Sequence, residues 1–394
     1  MSPEFPCDKA VITDDDVAAV SRVLRSGTLS RGPVVAEFET AFADLVGARH
    51  AVAVSSGTAG LHLATFALNA APDTRWISTP NTFVRTVNAV VHGGGVPVLV
   101  DINPETWLVE IAQLSQALER HRDKKAVAGV IPVHFAGLPV NMEALARLTK
   151  PHGVRVIEDA SYALGAIWED TRGTSHTVGD CAYSDLTVFS FDPNKPITTG
   201  EGGMITTNDD ELAGRLRILR DHGVVRDPIR LPDAPGPWYY EMRELGFNFR
   251  LSELQAALGL SQLSRLAANV QARRDLALVY DRCFAEVEAV TPQRQPKYAM
   301  SPYTFYIVRV DFTHYGRTRA GVVARLAERG IQTGVHYVPL HLHPYYQQRF
   351  GFTEGQFPMA EQYYEEALTL PMYPGLAPDE AERIAAELVL ALTT

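Results

Sequence analysis

The chain is short of lysine, of cysteine, of excess positive charge and of long apolar runs, and each shortage excludes something. Across 394 residues, Lys+Arg total 36 against Asp+Glu 46, a net charge of −10. Without a basic excess to neutralise a phosphate backbone, a large nucleic-acid footprint is excluded. A small anionic ligand is not, because a few local donors suffice for it. The three cysteines, Cys7, Cys181 and Cys283, are too few and too scattered for a disulfide framework or a zinc site. They point to a reducing, cytoplasmic setting and to no bound metal. No apolar run reaches about 18 residues, so no transmembrane helix is expected. The opening MSPEFPCDKAVITDDD lacks the basic start and apolar core of a signal peptide. Also missing are GxGxxG and GxxxxGK[ST], the usual glycine-rich nucleotide cradles.

What is present is ordinary globular material: 46% hydrophobic and 21% charged residues place the chain well outside the disordered range. At roughly 150 residues per domain, the length fits two or three domains, or one large α/β unit with an appendage. Short β-branched runs alternate with helical patterns. Strands are expected at Ala51–Val54, Arg75–Thr79, Val96–Asp101, Val127–Val133 and Val154–Asp159. Helical spacing follows from Gly57, near Val84–Val91 and in NMEALARLTK. Strand–helix alternation of this kind builds a parallel sheet covered on both faces, with ligands beyond the carboxyl ends of the strands. Downstream the pattern predicts one long helix from Leu251 to about Val287, then a strand at Tyr303–Val310, a helix near Arg319–Arg329 and a strand near Thr333–Val338. Helices near Glu361–Thr369 and Pro378–Leu392 close the chain, and the Pro-rich stretches Asp227–Pro237 and Thr291–Pro296 read as exposed loops. The division expected is a large domain over 1–250 and a smaller α+β domain over 251–394.

Six lysines make each one informative. Lys9, Lys124, Lys125, Lys150 and Lys297 lie in polar stretches, as solvated lysines do. Lys195 lies in FSFDPNKPITTGEGGMI, between an apolar strand and a Gly/Thr turn. In such a loop desolvation disfavours the ammonium form, and a neutral amine can form a Schiff base with a carbonyl cofactor. A loop lysine capping carbonyls is the other reading. Asp159 ends the fifth strand in VIEDASYALGA; it can face a protonated pyridine nitrogen, or cap a following helix. In AVAVSSGTAGLHLA, Gly57 and Thr58 open a helix whose free N–H groups can cradle a phosphate, or simply be capped. Phe83, in TPNTF after the second strand, can stack on a cofactor ring or pack in the core.

Taken together, a small-residue turn, an aromatic, an aspartate and a lysine at strand ends of one α/β unit are what a pyridoxal phosphate (PLP) enzyme of fold type I requires. The chain resembles the DegT/StrS-type sugar aminotransferases in SGTLSRGPVVAEFE, AVAVSSGTAGLHLA, STPNTFVRTVNAV, VLVDINPET, VIEDASYALGA, FSFDPNKPITTGEGGMITT, GFNFRLSELQAALGLSQL and GVHYVPLHLHPYY. The resemblance implies an aspartate-aminotransferase-like fold: a mostly parallel central sheet plus a smaller C-terminal α+β domain. It further implies Lys195 as Schiff-base lysine and proton shuttle, Asp159 on the pyridine nitrogen, Phe83 stacked on the ring, and Gly57, Thr58 and Ser190 on the phosphate. Asn248 would reach the cofactor phosphate of a neighbouring subunit, making the protein a homodimer with shared sites. Arg250 would lie near the donor or sugar nucleotide, and His336 at the mouth of the site near the nucleotide's phosphates.

Two positions depart from the family pattern. Tyr162 stands where a Gln or His usually contacts the cofactor's phenolic oxygen; a tyrosine hydroxyl can also donate there. Arg85 stands where a small residue is expected, and either points into the cleft toward a substrate phosphate or carboxylate, or lies on a helix surface. Lysine rather than histidine at the Schiff-base position favours transamination over dehydration. FDPNKPITTGEGG, GPWYYEMRELGFNFRLSELQAALGLSQL and HYVPLHLHPYYQQRFG look most like the 4-aminotransferases of the pseudaminic-acid pathway. The function this implies is amino transfer from L-glutamate to C4 of a UDP-linked 4-keto-6-deoxy-hexose. A keto-cyclitol or other keto-sugar aminotransferase, and a non-catalytic regulator on the same fold, are the competing readings.

Overall fold

In the computed structural model, residues 3–121, 127–227, 229 and 231–394 are described. Lys124, Lys125, Pro228, Arg230 and the first two residues of the N-terminal stretch lie outside them. The centre is a seven-stranded sheet in the order His50–Val54, Gly203–Thr207, Leu186–Ser190, Arg155–Asp159, Val127–Val130, Arg75–Ser78, Val96–Leu99. Neighbours pair in parallel from Val96–Leu99 through to Leu186–Ser190. The exception is Gly203–Thr207, antiparallel to both its neighbours. Its reason is local: a parallel crossover usually carries a helix, whereas the loop 191–202 has none and its ends are drawn together where Phe191 N donates to Gly202 O at 2.9 Å.

The helices that cover the sheet are amphipathic or small-residue-rich as their position demands. Gly57–Ala67 is capped by Ser56, whose hydroxyl accepts from Ala59 N at 3.0 Å. A Cβ at Gly60 would come within 2.8 Å of Val188 Cγ1, so glycine there lets the helix lie close on the strand that leads to Lys195. Two helices not foreseen from the sequence, Asp14–Ser26 and Pro33–Val46, pack on Glu253–Leu263. They are fastened by buried acids. Glu253 accepts from Gly32 N at 3.0 Å and Val34 N at 2.8 Å, and Asp16 accepts from Ser261 Oγ at 2.7 Å and pairs with Arg265.

The predicted long helix is two, Glu253–Leu263 and Leu266–Phe284. The break falls at Ser264 and Arg265, where the Ser264 hydroxyl bonds back to Ser261 O at 2.8 Å and Arg265 turns to Asp16. A second, three-stranded antiparallel sheet runs in the order Val290–Pro292, Tyr306–Val310, Ala367–Leu370. Three expectations are corrected by it. Part of the stretch read as a loop at Thr291–Pro296 is an edge strand. The helix predicted to run to Thr369 stops at Glu366, where ALTL turns to strand pairing. Thr333–Val338 forms no strand; only Gly334 bridges Thr369, with reciprocal N–H···O bonds of 3.0 and 2.8 Å. Phe5 bridges Ile331, so the first described residues pack with this C-terminal part. Among the described residues no helix is long and apolar enough to cross a membrane.

Candidate active site

Strand Leu186–Ser190 delivers the chain to the carboxyl edge of the sheet, and the loop that follows is latched at its base. Phe191 N donates to Gly202 O at 2.9 Å, Thr199 N to Phe191 O at 3.0 Å and Lys195 N to Asp192 O at 3.0 Å. Lys195 is only 5% exposed. Its Nζ stands 3.9 Å from the centre of the Tyr162 ring, 5.8 Å from that of Phe305 and 3.8 Å from Asp192 Oδ2. Burial, and then the positive charge of Arg85, push its pKa down from 10.5 to about 7, against the pull of Asp192 and Asp159. A neutral, nucleophilic amine is thus available at neutral pH. This is not a lysine occupied in capping carbonyls.

Asp159 is buried at the end of its strand. Thr86 Oγ1 donates to its Oδ2 at 2.6 Å, and Ser161 N and Oγ donate to its Oδ1 at 3.1 and 2.6 Å. The chain after it turns rather than entering a helix, so Asp159 is not a helix cap. Its carboxylate is held rigidly with lone pairs to spare. That suits a protonated ring nitrogen.

The turn before Gly57–Ala67 meets Ser190 across the sheet edge. A Cβ on Gly57 would lie 2.7 Å from Ser190 Cβ, and Ser190 Oγ is buried without a hydrogen-bond partner. The first N–H groups of a helix have no partner within it. Gly57, exposed Thr58 and the orphaned Ser190 hydroxyl therefore form a donor-rich niche at a helix N-terminus, which fits a phosphate. Lysine, aspartate and niche together have the chemistry that PLP needs.

Phe83 is 41% exposed and is not core packing. Its ring centre is 5.5 Å from that of Tyr337, and the guanidinium of Arg85 lies 5.4 Å from it. Arg85 is buried and points into the cleft: Nη1 is 3.5 Å from Asp192 Oδ2. Burial alone would lower its pKa, but Tyr162, Asp159, Tyr337 and Asp192 surround the charge and raise it. The Tyr162 hydroxyl is paired with that of Tyr337; burial raises the pKa of both. His336 is half-buried, stacked on Phe305 at 4.0 Å, with Nδ1 2.7 Å from Thr369 Oγ1. Burial and the nearby Lys195 push its pKa down to about 3, so it is neutral. It lies against Phe305, the ring whose centre is 5.8 Å from the lysine amine.

Lys195, Asp159, Phe83, Tyr162, Arg85 and His336 thus converge on one cleft. Asn248 and Arg250 stand apart from them. The backbone of Asn248 bridges Asp221, and Phe249 O accepts from Ser55 N at 2.8 Å. Arg250 pairs with Asp221, which also holds Arg31 and Arg226 at 3.0 Å each. Arg31 and Arg250 border a separate cleft of about 260 Å³. Four further residues of the main cleft escaped the sequence reading. Thr86 lies one helical turn after Phe83, and Asp192 three residues before Lys195, spacings that offered a signal. Tyr337 is adjacent to His336, while Phe305 had no signal at all.

Comparison with known proteins agrees with this geometry. The profile of the DegT/DnrJ/EryC1/StrS aminotransferase family matches residues 10–389. The spore coat polysaccharide biosynthesis protein SpsC of Bacillus subtilis is 36% identical over 381 residues, covering 96% of this chain and 95% of SpsC. Among solved structures, Helicobacter pylori PseC, an aminotransferase involved in the biosynthesis of pseudaminic acid, superposes with a TM-score of 0.88 at 30% identity, over 99% of both chains. Streptococcus pneumoniae Spr1654, solved in its PLP form, gives 0.88 at 26% identity, over 100% of this chain and 99% of that one.

Proposed function

The chain belongs to the DegT/DnrJ/EryC1/StrS aminotransferase family, and on that premise we propose that it moves an amino group from L-glutamate to C4 of a UDP-linked 4-keto-6-deoxy-hexose. It is a PLP-dependent sugar aminotransferase. The product would serve a cell-surface or secondary-metabolite sugar, and the enzyme would work in the cytoplasm. The observation that carries the reading is Lys195, a buried amine over the Tyr162 ring at the carboxyl edge of the sheet, with its proton loosely held.

When bound, the cofactor supplies the electron sink that stabilises negative charge at the reacting carbon. The chain's residues do the rest. Gly57, Thr58 and Ser190 would hold the phosphate, Phe83 would stack on the ring, Asp159 would keep the ring nitrogen protonated, and Tyr162 would donate to the phenolic oxygen. Lys195 would take the proton from Cα of the donor in one half-reaction and give a proton to C4 of the sugar in the other. His336, neutral beside it, would meet the substrate, and Arg250, which stands apart in its own chain, would do so at the neighbouring subunit's site.

We assign the enzyme to a homodimer in which Asn248 reaches the partner's cofactor phosphate. The segment leading to Asn248 supports this. Trp238, Tyr240, Met242 and Leu245 are 73, 56, 62 and 72% exposed, large apolar side chains interleaved with Glu241, Arg243 and Glu244, and exposed apolar groups of this size mark interfaces. The name of PseC and its 30% identity support the sugar class. The test is to follow the two half-reactions separately. Glutamate alone should convert the protein-bound cofactor to its amine form, and a UDP-4-keto-6-deoxy-hexosamine should then restore it. A cofactor indifferent to glutamate, glutamine and alanine would refute the enzyme reading. Restoration only by a keto-cyclitol would refute the sugar.

A further inference from the structure

Arg85 is a charged side chain that the protein has buried and left largely unused. Its side chain is 7% exposed, and its closest acidic oxygen, Asp192 Oδ2, is 3.5 Å from Nη1. Nε and Nη2 are both buried with no hydrogen-bond partner. Unpaired buried N–H groups are costly, and those of a charged group most of all. The rings of Phe83 and Tyr162, 5.4 and 5.5 Å away, hold the guanidinium in place without satisfying its donors. A guanidinium kept in this state is presented to something outside the chain.

The free edge says what that is. Nε and Nη2 carry the two parallel N–H bonds of the arginine fork, which match a carboxylate in bidentate fashion. Position narrows it further. Lys195 Nζ lies 3.8 Å from the same Asp192 oxygen that Arg85 Nη1 approaches. Amine and guanidinium thus flank a single atom, and an anion on Arg85 sits a few bonds from the carbon that reacts at Lys195. The phosphates of a sugar nucleotide are attached at C1, across the ring from C4, and the far carboxylate of glutamate is two methylenes removed from Cα. Both lie farther from the reacting carbon than a carboxylate bonded to that carbon or to its neighbour.

We propose that the Nε–Nη2 edge of Arg85 binds a carboxylate carried on the reacting carbon or on its immediate neighbour. The inference rests on the aminotransferase reading. Two substrates offer that group: an α-amino acid donor, whose carboxylate is bonded to Cα, and a 4-keto-uronate acceptor, whose carboxylate is bonded to C5. In the second case Arg85 selects the acid over the 6-deoxy sugar.

The experiment uses the holoenzyme, Arg85→Ala, and Arg85→Lys, which keeps charge but lacks the fork. In the donor arm, single-turnover conversion is measured with L-glutamate and with 4-aminobutyrate, whose reacting carbon bears no carboxylate. In the acceptor arm, protein loaded with pyridoxamine phosphate meets a UDP-4-keto-6-deoxy-sugar or a UDP-4-keto-uronate. Loss of a charge-assisted bidentate contact should weaken apparent affinity for the carboxylated substrate by about 10- to 100-fold. The counterpart without a carboxylate at that position should share only the change that losing Arg85's charge brings to Lys195, so the loss is read as the ratio between the two substrates, and Arg85→Lys, which keeps the charge, should fall between. An effect confined to glutamate assigns the donor as source, and one confined to the uronate assigns the acceptor. Equal weakening with and without the carboxylate, or no weakening in either arm, overturns the proposal. Retention of a borohydride-reducible linkage at Lys195 shows that a variant is folded; if Arg85→Ala loses it, Arg85→Lys carries the same comparison. A wild-type protein inert to every donor would instead refute the aminotransferase reading.

Discussion

Lys195 sits between two opposite charges, and removing either should move its pKa in opposite directions. Asp192 Oδ2 is 3.8 Å from Nζ and its side chain is 28% exposed. A unit charge at that distance is worth roughly 1–4 kcal/mol for an effective dielectric between about 80 and 20. Partial exposure favours the lower end, about one pKa unit. Asp192→Asn should therefore lower the Lys195 pKa below about 7, because the carboxylate that favours the ammonium is gone and Arg85 still opposes it. Arg85→Gln should raise it. The scarcity of lysine makes this measurable: the rate of trinitrobenzenesulfonate labelling of cofactor-free protein, resolved by peptide mass spectrometry, can be followed against pH for Lys195 alone. At pH 7 an amine with a pKa of about 7 is half neutral, whereas a lysine at 10.5 is neutral in about one molecule in 3000. Shifts of the same sign in the two variants, or none in either, would refute the electrostatic account of the amine.

Asp159→Asn should leave the fold intact by circular dichroism yet slow glutamate half-turnover by about 100-fold or more, since a neutral amide cannot hold the ring nitrogen protonated; near-normal turnover would remove Asp159 from the site. Gly57→Ala places a Cβ 2.7 Å from Ser190 Cβ and should raise the apparent Kd for PLP by about tenfold, a loss of about 1.4 kcal/mol. Lys195→Ala should bind PLP without forming a borohydride-reducible linkage at that position, read by peptide mapping. Mixed under subunit exchange, inactive Lys195→Ala and inactive Asn248→Ala should regain activity in heterodimers with one intact site; no recovery despite proven exchange would assign Asn248 to its own chain.

Much of this site was legible because its parts follow strands. Asp159, Phe83 and the Gly57 turn lie at or just after the ends of runs whose β-branched residues announce them, and the strand before Lys195, LTVFS, is mostly apolar. What could not be read was the direction of Gly203–Thr207. GMITT is strand-like in either sense, and only the latched loop before it makes the pairing antiparallel. Likewise Thr333–Val338 alternates as a strand should, yet its backbone is claimed by a single bridge to Thr369. Periodicity reports which residues face a core, not which neighbour takes their hydrogen bonds. Arg85 shows the same limit for chemistry: the sequence left it between cleft and helix surface, and only tertiary packing turns it inward. Asp16 and Glu253 are buried acids that no periodicity marks, because backbone amides from a distant turn and an arginine complete them.

The hydroxyl contact between Tyr162 and Tyr337 joins the floor beneath the reactive lysine to a segment fastened elsewhere. Gly334 and His336 are both tied to Thr369, Gly334 through its backbone and His336 through its ring. Thr369 lies on the strand Ala367–Leu370, which belongs to the small sheet. The reaction chamber is therefore a joint rather than a pit: one wall is hinged on a strand that touches none of the large sheet's chemistry. Thr369, fully buried and far along the chain from Lys195, becomes a lever. Shortening it to alanine would remove the hydroxyl partner of the imidazole and so loosen that wall beside the amine. Selection for a tighter or looser chamber can act there without altering any group that meets the substrate.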